Sequence, residues 1–212
     1  MSSPAGPGHD AAAGSAPPPE LDEVLAAARA GDTTSFGVLY RETQPRLLRY
    51  ASSLVGQDAE DVTAEAWLQI ARDLPRFSGD VMGFRGWTAT IVRNRAFDHL
   101  RALQRRPTTS LEEFFLDRAA EPDTAVTATD NLGTTAALRL IASLPADQAE
   151  AVLLRVVVGL DASTAGQILG KRAGAVRVAA HRGLKNLAKM LEAHDSLGSG
   201  SGAGSGGAAA DE

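Results

Sequence analysis

Residues 161–190 read DASTAGQILGKRAGAVRVAAHRGLKNLAKM, and the order of small, apolar and charged residues in that run decides the fold. Asp161 is an N-cap residue ahead of a short helix that turns Ala165, Ile168 and Leu169 inward. Gly170 and Lys171 then make a tight turn, and a longer helix follows. Val176, Ala180, Leu184 and Leu187 recur at helical spacing and are expected to form its buried stripe. Opposite them lie Gly174, Val178, His181 and Lys185, flanked by Arg177 and Arg182. A short helix, a glycine turn and a second helix that shows cations and small residues on its free side suit the DNA major groove. For the second helix alone, a solvated basic face is the competing reading. His181 has no His, Asp or Glu within helical reach, so no metal site is expected there.

Outward from this unit, the chain reads as helices separated by punctuation. Pro145 suits a first helical turn, and Gly159-Leu160-Asp161 supplies a stop followed by a cap. Earlier, Gly31-Asp32 and Gly56-Gln57-Asp58 each end one helix and start the next, and Pro75 to Gly83 reads as a loop. The expected fold is all-α: two small helical domains, 21–106 and 134–193, joined by a flexible linker over 107–133 with one helical turn, the second domain containing a helix-turn-helix. Residues 1–20 and 194–212 are low in complexity and rich in Gly, Ala, Ser and Pro, so both are expected to be disordered tails.

Of the 212 residues, 44% are hydrophobic and 5% aromatic, enough for real cores built from good helix formers. Cysteine is absent, which excludes disulfides, thiolate zinc sites and Cys nucleophiles. Neither a secretory signal nor a membrane-length apolar run is legible, so a cytoplasmic protein without membrane insertion is expected. The net charge of −5 argues against indiscriminate coating of nucleic acid. That average hides two basic segments: six arginines against the single acid Asp98 between Arg85 and Arg106, and six Lys or Arg without an acid between Lys171 and Lys189.

The helix from Asp58 to Leu74 carries Val62, Ala66, Ile70 and Leu74 as a core stripe with Trp67 beside it. A different face holds Asp58, Asp61, Glu65 and Gln69. Carboxylates at this density repel phosphate and suit a basic partner, although a plain solvated face has the same pattern. The helix from about Phe84 to Leu103 joins Trp87, Ile91, Val92, Ala96 and Leu100 to Arg85, Arg93, Arg95, Arg101 and the pair Arg105-Arg106. Arginines fix phosphates; Trp87 either packs in the core or stacks on an unpaired base. No paired-carboxylate pocket, nucleophile with its base or phosphate-binding glycine loop is legible, so no catalytic residue, metal or cofactor is expected.

The order of these pieces resembles the extracytoplasmic-function (ECF) class of bacterial RNA polymerase sigma factors. Phe36 to Tyr50 is similar to that family's opening helix. Asp58-Ala-Glu-Asp-Val-Thr-Ala-Glu-Ala-Trp67 is similar to the segment that grips the clamp helices of the polymerase's largest subunit. Phe84-Arg-Gly-Trp87 through Arg93-Asn-Arg-Ala-Phe-Asp-His-Leu-Arg101 resembles the segment for the minus-ten element. Leu144-Pro145 through Leu154-Arg155, Gly159-Leu160 and His181-Arg182-Gly183-Leu184 resemble the domain that reads the minus-thirty-five element. The likeness covers residues 21–191.

By that resemblance, Asp58, Glu60, Asp61, Glu65, Trp67 and Gln69 would bind core polymerase. Arg85, Trp87, Arg93, Asn94, Arg95, His99 and Arg101 would meet the minus-ten element. Lys171, Arg172, Gly174, Ala175, Arg177, Val178, His181, Arg182 and Lys185 would meet the minus-thirty-five element. The implied partners are core RNA polymerase, through its clamp helices and flap region, promoter DNA and an anti-sigma protein. Val178-Ala179, the turn Gly170-Lys171-Arg172 and the loop Phe77 to Gly83 depart from the family's usual residues, so promoter bases do not transfer. An autonomous regulator with a sensing first domain, and an enzyme acting on nucleic acid, are the rival readings.

Overall fold

The computed structural model describes residues 21–104 and 132–199. The expected linker, apart from its last two residues, and both expected tails apart from 194–199 lie outside the described residues. No strand occurs among those described.

Helix α1 (Leu21–Arg29) stops at Gly31, whose φ of 100° is one a side chain would resist. The Asp32 carboxylate then accepts from Ser35 N at 2.8 Å and starts α2 (Thr33–Val55). Pro45 lies inside α2 on its exposed side, where the carbonyl that its ring deprives of a donor can take water. Gly56, with φ 64°, and a 3₁₀ turn over Gly56–Asp58 lead into α3 (Ala59–Asp73). The loop before α4 (Val81–Gln104) is shorter than the sequence suggests, because the helix begins three residues ahead of Phe84. Asp80 Oδ1 accepts from Gly83 N at 2.7 Å and Asp22 Oδ1 from Val81 N at 2.8 Å, which satisfies two first-turn amides.

The second group comprises α5 (Leu132–Ala142), α6 (Ala146–Val152) continuing as a π-helical turn over Leu153–Val157, α7 (Ala162–Leu169) and α8 (Ala173–Ser199). Asp161 caps α7 as expected: Oδ1 accepts from Ser163 N and Thr164 N at 2.7 and 3.0 Å, and Oδ2 from the Thr164 hydroxyl at 2.6 Å.

Leu39, Leu47, Leu54, Ile70, Phe84 and Val92 fill the first core, and Val152, Leu153, Leu154, Leu160 and Val176 the second. The expected α3 stripe of Val62, Ala66, Ile70 and Leu74 is buried. The α8 stripe needs one correction. Val176 and Ala180 are buried and Leu187 half-buried, but Leu184 is 46% exposed and Gly183 is buried in its place. A period of 3.6 residues per turn carries the inward face from 180 to 183 and 187, and steps of four overshoot it. Gly183 also lets α8 close on α6: a Cβ there would lie 2.7 Å from Val152 Cγ2 and 3.2 Å from Gln148 O.

The two cores are continuous, because α2 and α4 pack against α5, the π turn and α7.

Candidate nucleic-acid interface

In the helix-turn-helix, Gly170 adopts the left-handed conformation at φ 64°, and Lys171 N donates to Gly166 O at 2.9 Å. A side chain at Gly166 would lie 2.5 Å from Lys171 O, so the turn folds back on α7 only because residue 166 is glycine. This sets α8 at its angle to α7. Arg172, Gly174, Ala175, Arg177, Val178, His181, Arg182 and Lys185 are all exposed. Lys171 is half-buried and ion-paired with Asp147 of α6. The small exposed residues at 174 and 175 leave the amino-terminal end of α8 open to close approach, with cations on either side. Hydrogen bonds from Thr164 hold the Asp161 carboxyl below the usual carboxylate range, so the cap stays ionised.

On α3, Glu60, Asp61 and Glu65 are exposed. Two other members of the expected acidic face are engaged within the fold. Asp58 Oδ2 lies 3.0 Å from His99 Nε2, and Gln69 Oε1 accepts from Arg95 Nε and Nη2 at 3.2 and 3.0 Å. Trp67, read beside the core stripe and given to polymerase binding by the resemblance alone, is buried against Phe36 and Tyr40, and its indole N–H donates to Gln44 Oε1. An indole fills a core when its N–H finds a partner, and α2 supplies one. Missed by the sequence reading was Leu68, 75% exposed beside Glu65 on the same free face. Its signal was an apolar side chain off the buried stripe.

The side chains expected at the minus-ten element divide in the same way. Asn94 and Arg101 are exposed, the latter 3.0 Å from Asp98. Arg85 is paired with Glu42 of α2 at 3.1 Å. Trp87 is half-buried, packed on Phe77 and Phe84 with ring centroids 5.0 and 6.0 Å away. Arg93 lies over the Phe97 ring at 4.8 Å and 3.5 Å from Glu150 of α6. Neither Glu42 nor Glu150 stood out in the sequence, since Arg85 and Arg93 lie far from them in the chain.

No group of His, Asp or Glu among the described residues could hold a metal ion, and no described helix is long and apolar enough to cross a membrane.

Comparison with known proteins agrees with this arrangement. The family Sigma-70 region 2 matches residues 39–106, and Sigma-70 region 4 matches residues 134–187. The chain belongs to the ECF RNA polymerase sigma factors. It is 34% identical to SigD of Mycobacterium tuberculosis over 79% of this chain and 82% of that protein. It is 29% identical to BldN of Streptomyces coelicolor over 80% of this chain, spanning 65% of BldN's length. Among solved structures, CnrH in complex with the cytosolic domain of CnrY matches with a TM-score of 0.57 at 20% identity, over 82% of this chain and 99% of that one. RpoE of Bartonella quintana in complex with the anti-sigma factor NepR matches with a TM-score of 0.58 at 21% identity, over 76% and 98%. These two likenesses establish the fold.

Proposed function

We propose that the chain binds core RNA polymerase through the exposed face of α3 and directs it to promoters. Nucleic acid would be contacted by α4 at the minus-ten element and by α8 at the minus-thirty-five element. RNA synthesis itself belongs to the polymerase; this chain supplies binding and placement. The observation that carries the proposal is the pairing, in one chain holding both sigma-70 regions, of an acidic face on α3 with a cationic face on α8. Opposite charges on separate domains fit two different partners, a basic protein surface and a polyanion.

The test is a pull-down with purified core polymerase followed by run-off transcription. Co-purification and a promoter-dependent transcript are expected. Sequence-specific duplex binding without polymerase, and no co-purification, would favour the autonomous regulator instead.

Control by a separate anti-sigma protein belongs to the same proposal, as CnrH and RpoE, which share the fold, are complexed with CnrY and NepR. The purified chain should then activate core polymerase without any small molecule. Transcription that stays silent until a ligand is added would overturn this part.

A further inference from the structure

An ion pair joins the two halves of the molecule, its carboxylate buried and its guanidinium half-buried. Glu150 of α6 is buried, and its Oε1 makes no hydrogen bond. The nearest cation is Arg93 of α4, with Nη2 3.5 Å away. Arg93 also lies beside the buried hydroxyl of Tyr50 on α2, so three helices from two domains meet at one guanidinium. Burial raises the Glu150 carboxyl above its ordinary value, opposed first by the charge of Arg93. A carboxylate in that position occupies the guanidinium as a phosphate oxygen would.

A second contact lies on the same side of α4. Gly86 is buried against α7, and a Cβ built there would collide with Thr164 Cγ2. One missing methyl group is therefore what allows α7 to seat on α4.

We propose that the docked arrangement is a closed state in which Glu150 latches Arg93 and α7 seats on Gly86, so that the second domain withholds Arg93 from nucleic acid. This rests on the reading of α4 as a nucleic-acid surface. Opening must break the pair, and nucleic acid that takes Arg93 competes with Glu150 for it. Each therefore biases the equilibrium between closed and open forms. The latch is poised for release, because a buried carboxylate with one unsatisfied oxygen holds domains together less firmly than a fully hydrogen-bonded one.

The chain has no cysteine, so thiols introduced at the exposed positions Ala71 of α3 and Ala188 of α8 can carry an energy-transfer pair on the whole protein. Glu150→Gln and Gly86→Ala should both lower transfer, while circular dichroism shows the helices intact. Thr164→Ser removes the colliding methyl and keeps the hydroxyl bonded to Asp161, so adding it to Gly86→Ala should restore transfer. Affinity for fluorescein-labelled single-stranded oligo(dT) should rise about tenfold in Gly86→Ala if about a tenth of the wild-type chain is open. Adding Arg93→Gln should abolish that gain. Unchanged transfer in both folded variants overturns the latch. Should Glu150→Gln fail to fold, Gly86→Ala, which alters no charge, decides alone. Lower transfer with unchanged oligo(dT) affinity overturns the withholding of Arg93; the pull-down with core polymerase tests the proposed function separately.

Discussion

At the scale of single residues, the most informative side chain is Asp161. Its carboxylate takes two backbone amides and a hydroxyl at the start of α7, and so fixes the first helix of the helix-turn-helix. Asp161→Ala should cost about 1 kcal/mol, as loss of an N-cap does, measured by urea denaturation. Those hydrogen bonds lower its folded pKa. The contribution is therefore complete above the unfolded value of about 3.9 and is lost as pH falls through the lowered one. Between pH 5 and 8 the variant's deficit should stay flat; a deficit that varied across that range would refute the capping role. Asp161 was legible because a cap is a local device, set by a residue and its next three neighbours. The burial of Gly183 was not: it answers to Val152 and Gln148 on another helix, and spacing in steps of four put Leu184 inward instead.

At the scale of elements, α3 and α8 were legible because one face of each is defined by contrast with a buried stripe. On α3, Asp61 and Glu65 are the free carboxylates to reverse, since Asp58 is held by His99. Changing both to Lys should weaken capture of core polymerase and leave the helical spectrum unchanged, whereas wild-type affinity in the double variant would refute the assignment. On α8, Arg177 is exposed while Lys171 is tied to Asp147. Arg177→Ala should cost about 1–3 kcal/mol and relax specificity at one base pair. Lys171→Ala should lower affinity evenly across promoter variants and reduce the salt slope by about one. An even loss for Arg177→Ala, measured on a set of single-base variants, would show that it binds phosphate instead. What the elements concealed was pairing between them. Trp67 reads as a neighbour of the core stripe, but the Gln44 and Tyr40 that α2 places over it do not show in its own helix, and the start of α4 depends on Asp22 of α1.

At the scale of the whole molecule, the two domains were legible from composition but their docking was not. Arg93 and Glu150 sit in separate basic and apolar contexts, and no periodicity links them. Because the two cores are continuous, unfolding of the halves should be coupled, and the protein carries a convenient way to see it. Both tryptophans, Trp67 and Trp87, lie in the first domain, so fluorescence reports that domain alone while far-UV circular dichroism reports helices of both. In the wild-type chain the two urea transitions should coincide, as cooperative unfolding requires. Gly86→Ala sets a methyl group against Thr164, an overpacking that costs about 1–3 kcal/mol in a packed interface and falls on the docked form alone. Once docking is lost, each domain keeps its own stability, and the smaller second core should melt first. The dichroism curve of Gly86→Ala should then split while the fluorescence curve stays a single transition at the later step. Thr164→Ser in the same chain should merge the curves again. Separate transitions already present in the wild type would mean that the continuous core does not couple the domains, and the contact between α4 and α7 would then be too weak to hold a closed state.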